Sequence, residues 1–165
     1  MLKFQLFLYS AEEDFKYRLK EDITFNITYN LGSWKLIDPK TKEPVAICAN
    51  NQIIVKSGYM WDGSTVIGEY YEDYQTMEAS LLHDVLYNAK KNPDNLEVPF
   101  SLFKADALFR DHLITLYTIN NENFWKRKIF PWCYYFGLIS LGMPWKFGNN
   151  KYYVLFLINQ IILIK

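Results

Sequence analysis

The chain has 165 residues, enough for one domain with a sizeable core. Its 18 acidic residues balance its 18 basic ones, and the one basic cluster, Lys126 to Lys128, is too small for a nucleic-acid groove, so no nucleic-acid partner is expected. Hydrophobic residues make up 50% of the chain and aromatic residues 18%, yet no run reaches the ~20 apolar residues that a spanning helix needs.

In chain order, the N-terminal "MLKFQLFLYSAEED" is too short in its apolar run for a signal-peptide core and reads as a first strand, Phe4–Leu8. Further strands are predicted at Ile23–Thr28, Trp34–Ile37, Val45–Cys48 and Ile53–Val55, separated by turn-rich pieces such as "YNLGS" and "DPKTKEP". "SGYMWDGSTVIG" carries three glycines and suits a sharply bent loop. From Thr76 the periodicity becomes helical. One helix is predicted over Thr76–Lys90. A second covers Ser101–Tyr117, with Ser101 as N-cap after Pro99, and a third starts near Glu122 and breaks around Pro131. Strands first and helices second predict an α+β fold, a small antiparallel sheet packed on a bundle of about three helices. The expected organisation is one domain, 1–165, mainly β over 1–57, loop over 58–75 and mainly α over 76–165. Cys48 and Cys133 have no metal-ligand spacing and read as small core residues.

"SLLHDVLYNAKKN" contains one of the two histidines of the chain. At about 100° per residue, Thr76, Ala79, Ser80, Tyr87 and Lys90 fall on the His83 side. Leu81, Leu82, Val85 and Ala89 fall opposite, as a core stripe. Small residues at 79 and 80 let a loop, a helix or a ligand approach closely, and Asp84 borders the His83 face. On the second helix, Leu102, Phe109, Leu113 and Leu116 form an apolar stripe that Asp106 interrupts. A carboxylate there needs a partner. The short connection from Lys90 to Ser101 makes the helices antiparallel neighbours, so His83 is the expected partner. Two readings stand: a His–Asp pair that only locks two helices together, and a pair that does chemistry. Asp62 likewise reads either as a ligand or as the residue that shapes an Asx-type turn in "WDGS".

The ordered set "IIVKSGYMWDGS", "LLHDVLY" and "KADALF" resembles a phage- and prophage-associated domain family of unknown function, over roughly residues 23 to 148. The matching residues are Gly58, Tyr59, Asp62, Gly63 and Ser64, then His83, Asp84, Leu86 and Tyr87, then Ala105, Asp106 and Phe109. The family usually places a proline before the loop glycine, where this chain has Lys56–Ser57. The resemblance implies a phage protein, in the host cytoplasm or the phage particle. His-Asp-x-x-Tyr followed by Ala-Asp-x-x-Phe is also similar to the catalytic helix pair of phospholipase A2 enzymes. That likeness implies His83 as general base, Asp106 as the carboxylate orienting it, Tyr87 bonded to Asp106, and Asp84 as a ligand of Ca²⁺. Asp62 and the loop from Gly58 to Gly63 would complete the metal site, although the loop lacks that family's sequence and the chain lacks its disulfides.

The implied reaction is ester hydrolysis by water, with His83 taking the proton and a hard cation polarising the carbonyl. A non-catalytic phage accessory protein that binds a host factor or small ligand, or a virion or tail assembly component with a structural His–Asp pair, remains the alternative. A His-Asp doublet also marks a metal-dependent phosphohydrolase superfamily, but no histidine precedes His83. Serine and cysteine nucleophile motifs are missing, as are phosphate-cradling and dinucleotide loops. His112 reads as a surface residue. "NFWKRKIFPWCYYFGLISLGMPWKF" reads either as core or as a surface for a peripheral membrane or protein contact, with Lys126 to Lys128, Trp132 and Trp145 facing the partner.

Overall fold

The computed structural model describes residues 4–6, 17–63, 73–92 and 98–147, with side chains described except over 4–6 and 141–147. Ser64, the end of the glycine-rich loop, Trp145's side chain and the apolar run Tyr152 to Ile164 lie outside the described residues. The fold is α+β. The strands are β1 (Phe4–Leu6), β2 (Tyr17–Leu19), β3 (Ile23–Asn26), β4 (Trp34–Ile37), β5 (Pro44–Ala49), β6 (Gln52–Val55) and β7 (Met60–Trp61). The helices are α1 (Tyr74–Lys91), α2 (Leu102–Ile119), α3 (Phe124–Lys128) and α4 (Phe130–Phe147). The chain divides into two compact units, Met1–Ala105 and Asp106–Lys165, with the division inside α2.

The first unit holds two antiparallel sheets, where the sequence reading expected one. The larger has the order β3-β6-β5-β4, and the smaller β1-β2-β7. The strands of the smaller sheet have two or three residues each, too few to show an alternation, and β2 (Tyr-Arg-Leu) has a charge at its centre. The larger sheet alternates as a half-buried sheet must. Its register sets Phe25 against Ile53, Ile53 against Cys48 and Cys48 against Trp34. A second buried row runs from Val55 through Ala46 to Leu36. A two-residue turn, Asn50–Asn51, joins β5 to β6 with both residues at positive φ (52° and 59°). This is the turn whose twist matches paired strands, and asparagine tolerates it. Between β4 and β5, Asp38 accepts hydrogen bonds from the amides of Lys40 and Thr41. The Lys40 amide is the main cause holding its carboxyl below the usual carboxylate range.

α1 packs against β4. The helix begins at Tyr74, ahead of the expected Thr76, because Asp73 caps it. Its carboxylate accepts from the Thr76 amide at 2.8 Å and the Thr76 hydroxyl at 2.6 Å. Ser101 caps α2 as expected, accepting from the Lys104 amide at 3.2 Å. Trp34 meets Phe100 with ring centroids 6.3 Å apart. Gly32, at φ +70°, lies so close to Pro99 that a Cβ there would fall 2.8 Å from its ring. A side chain at that position would collide with Pro99 as well as strain the backbone.

In the second unit, Phe109 and Tyr134 pack with centroids 5.6 Å apart, and Leu113 and Tyr117 are buried. α3 is capped by Asn123, which accepts from the Lys126 amide. The helical break falls at Ile129, ahead of Pro131. Proline has no amide to donate back to Arg127, while its fixed φ suits the first turn of α4. The expectation of two core cysteines is corrected here: Cys48 is buried but Cys133 is exposed. Burial pushes the Cys48 thiol up to about 11, and its sulfur lies 3.4 Å from the Gly32 carbonyl.

Candidate active site

The glycine-rich loop begins as a tight turn. The Tyr59 amide donates to the Lys56 carbonyl at 3.2 Å, and Gly58, at φ +89°, occupies the turn's left-handed position. Lys56 and Ser57, standing where the resembled family has a proline, both engage Asp22. The Lys56 ammonium lies 2.7 Å and the Ser57 amide 2.9 Å from its carboxylate. These bonds, the Lys56 one foremost, hold the Asp22 carboxyl below the usual range. Ser57 also donates its hydroxyl to the Lys20 carbonyl. The Gly58 amide donates to the Leu19 carbonyl at 2.8 Å, and the Leu19 amide donates to the Tyr59 carbonyl at 2.9 Å. The turn is thereby stitched to β2, and β7 follows directly from it.

β7 and the residue before it, Tyr59, deliver two aromatic side chains to α1. Trp61, fully buried, donates its indole N–H to the Ser80 hydroxyl at 3.2 Å, and Ser80 in turn donates to the Met77 carbonyl. The close approach allowed by the small residues of α1 is therefore, at Ser80, the approach of a β7 side chain. Tyr59 is also buried, and its hydroxyl accepts from the Asn88 side-chain amide at 2.8 Å. Burial pushes the Tyr59 phenol well above its ordinary value. The charges of Asp84 and Asp62 push it the same way, and the Asn88 bond works against them.

α1 is buried on both of its predicted faces. Leu81, Leu82, Val85 and Ala89 are buried as expected, and Thr76, Ala79 and Ser80 on the His83 side are buried too. The accessible edge is narrow: Asp84, Tyr87, Asn88 and Lys91 follow one another at helical spacing and are exposed or half-buried. His83 borders this edge and is 9% exposed. Its Nδ1 lies 3.2 Å from the Asp84 carboxylate, and its ring meets Tyr87 with centroids 4.2 Å apart at an interplanar angle of 36°. The Lys91 ammonium sits 5.4 Å from the Tyr87 ring centre.

The structure thus brings His83, Asp84 and Tyr87 together on one helix. Asp84, expected as a metal ligand, has its carboxylate within hydrogen-bond distance of the His83 ring. Asp106 is fully buried on α2, at the first residue of the second unit. Buried with it on the same helix are Phe109, Leu113 and Tyr117, so the apolar stripe that Asp106 interrupts is real, ending at Tyr117 in place of Leu116. His112 is half-buried. Of the expected metal-site residues, Asp62 is exposed, Gly63 is buried at φ +79° and Gly58 is tied to β2. Among the described residues no group of three or more His, Cys, Asp or Glu side chains is placed to hold a metal ion. Asp62 and Asp84 are two carboxylates where Ca²⁺ takes about six to eight oxygens. A Ca²⁺ site here would rest mainly on carbonyls and water.

Asn88 was missed by sequence reasoning, and Tyr59 was singled out only as a motif residue. The available signal was the spacing of Asn88, one helical turn beyond Asp84. Its partner lies 29 residues upstream, and no local periodicity reports such a contact. Comparison of the chain with family models, with curated proteins and with solved structures found no match.

Proposed function

We propose that the chain is a phage-type hydrolase of ester bonds, lipid esters included, in which His83 is the general base. The observation that carries this reading is the His83–Asp84 contact at 3.2 Å on a helix edge open to solvent. An imidazole held by a carboxylate is oriented for proton transfer, and the carboxylate stabilises the imidazolium as it forms. His83 takes the proton of an attacking water, and the same imidazolium returns it to the leaving alkoxide. The phage origin is supported by the three motifs in order, and the ester class by the likeness to the phospholipase helix pair. That likeness adds Asp106 as a second carboxylate acting on His83, and Ca²⁺ at Asp84.

The test is hydrolysis of p-nitrophenyl butyrate and of a phospholipid by wild type and His83→Ala. A rate lowered ~10²- to 10⁴-fold in the variant supports the reading. No hydrolysis of either substrate by wild type sinks it. In a cycle of His83→Ala, Asp106→Asn and the double variant, independent losses remove Asp106 from the site. Calorimetric titration of Ca²⁺ into wild type and Asp84→Asn decides the metal, and no heat with wild type removes it.

The near-burial of His83 favours a second reading, a structural pair in a non-catalytic accessory or virion protein. It predicts that His83→Ala loses about 1–3 kcal/mol of stability and that wild type has no hydrolysis to lose.

A further inference from the structure

The segment from α3 into α4 keeps large apolar side chains in water. Trp125, Ile129, Trp132 and Phe136 are all exposed, Trp125 to 63%. Their spacings of four, three and four residues place them within a narrow stripe of a helix. The stripe continues across the α3–α4 junction because Ile129 itself keeps right-handed helical angles, φ −107° and ψ −53°. Phe124, 60% exposed, flanks it and meets Trp125 edge-on at 6.2 Å. The opposite side of the same segment is buried at Pro131 and Tyr134. Arg110 lies over the rings of Trp132 and Tyr135, 4.3 and 4.8 Å from their centres, while paired with Asp111 at 2.6 Å.

Charge follows the same division. Between Glu122 and Phe136 the chain has three basic residues, Lys126, Arg127 and Lys128, and no acidic one. Lys126 is turned toward Glu122 at 3.6 Å and over the Tyr117 ring. Lys128, by contrast, is exposed and lies on the flank of the stripe. From these observations we infer that the Trp125–Phe136 stripe docks on an anionic lipid surface, its aromatic rings entering the headgroup boundary and Lys128 meeting lipid phosphate. Aromatic rings beside an exposed lysine suit that boundary, and the acidic side chains near them, Asp111 and Glu122, are paired with Arg110 and Lys126. An isologous contact with a second copy would set basic segment against basic segment. The inference is independent of the proposed hydrolase activity, since its readout is binding.

The test uses the full-length protein and vesicles of phosphatidylcholine alone or with phosphatidylglycerol. Wild type is expected to co-sediment with the mixed vesicles at least tenfold more strongly than with the neutral ones, and to release as salt rises. Brominated lipid should quench its tryptophan emission, and the quenching should fall in Trp125→Phe/Trp132→Phe. Lys128→Glu and Trp125→Ser, both at exposed positions, should each lower the partition severalfold with an unchanged circular dichroism spectrum. Equal binding to both vesicles, or none to either, overturns the inference. So does concentration-dependent self-association abolished by Trp125→Ser, which would assign the stripe to a second copy. Acrylamide protection of Trp125 in the vesicle-free protein would also overturn it, because the chain itself would then cover the stripe.

Discussion

Trp61 and Trp125 are the same residue in opposite circumstances. Trp61 follows a charged, polar loop and is 1% exposed, its ring 5.5 Å from that of Tyr17 and its N–H on Ser80. Trp125 lies in a far more apolar stretch and is 63% exposed. The helices they touch invert in the same way. α1 buries Thr76, Ser80, His83 and Gln75 along with its leucines, while the segment from α3 into α4 leaves Trp132 and Phe136 in water. The lesson is that burial follows the partner available, not the hydropathy of the segment. A polar side chain can be enclosed when a neighbour meets its hydrogen bonds, as Trp61 does for Ser80. An apolar one stays exposed when its face has nothing to pack on.

The largest expected effect is on the buried side of this comparison. Trp61→Ala should cost about 3–5 kcal/mol, read as a lower urea midpoint with an unchanged slope. A loss below about 1 kcal/mol would mean that the loop does not hold α1. Tyr59→Phe should cost about 0.5–1.5 kcal/mol. Its hydroxyl is buried, but the Asn88 amide it leaves behind is exposed and regains water. The two cysteines sharpen the contrast without a mutation. Titration with a disulfide reagent at pH 8 should modify Cys133 at once and Cys48 only on unfolding, because Cys48 is both enclosed and, at about 11, almost wholly protonated. Two equally fast thiols would contradict the buried face of the larger sheet. The smallest effect belongs to Trp125→Ala, within about 0.5 kcal/mol of wild type in the same urea titration. A loss matching that of Trp61→Ala would erase the distinction between the two tryptophans.

The strands that could be read in advance were those with alternation and a turn at each end. β4 was predicted to the residue, and β3, β5 and β6 to within two residues at each end. β2 and β7 escaped because a strand of two or three residues has no period. The contact between Asp84 and the His83 ring was not legible, since adjacency in sequence does not say which oxygen meets which ring nitrogen. Asp106 was legible as a misfit in an apolar stripe, because a carboxylate at such a position is costly whatever surrounds it.

The sequence by itself determined the α+β order, the helix cap at Ser101, and the core stripe of Leu81, Leu82 and Val85. Each follows from chemistry within a few residues: a side-chain oxygen reaching an amide three positions on, or a repeat matched to the helical turn. Only the tertiary structure decided that Trp61 would seat on Ser80 and Tyr59 on Asn88, that Asp22 would clamp the turn leading to both, and that the apolar stripe after Asn123 would face water. These depend on contacts between residues far apart in the chain, where closing the loop costs entropy that no local pattern records.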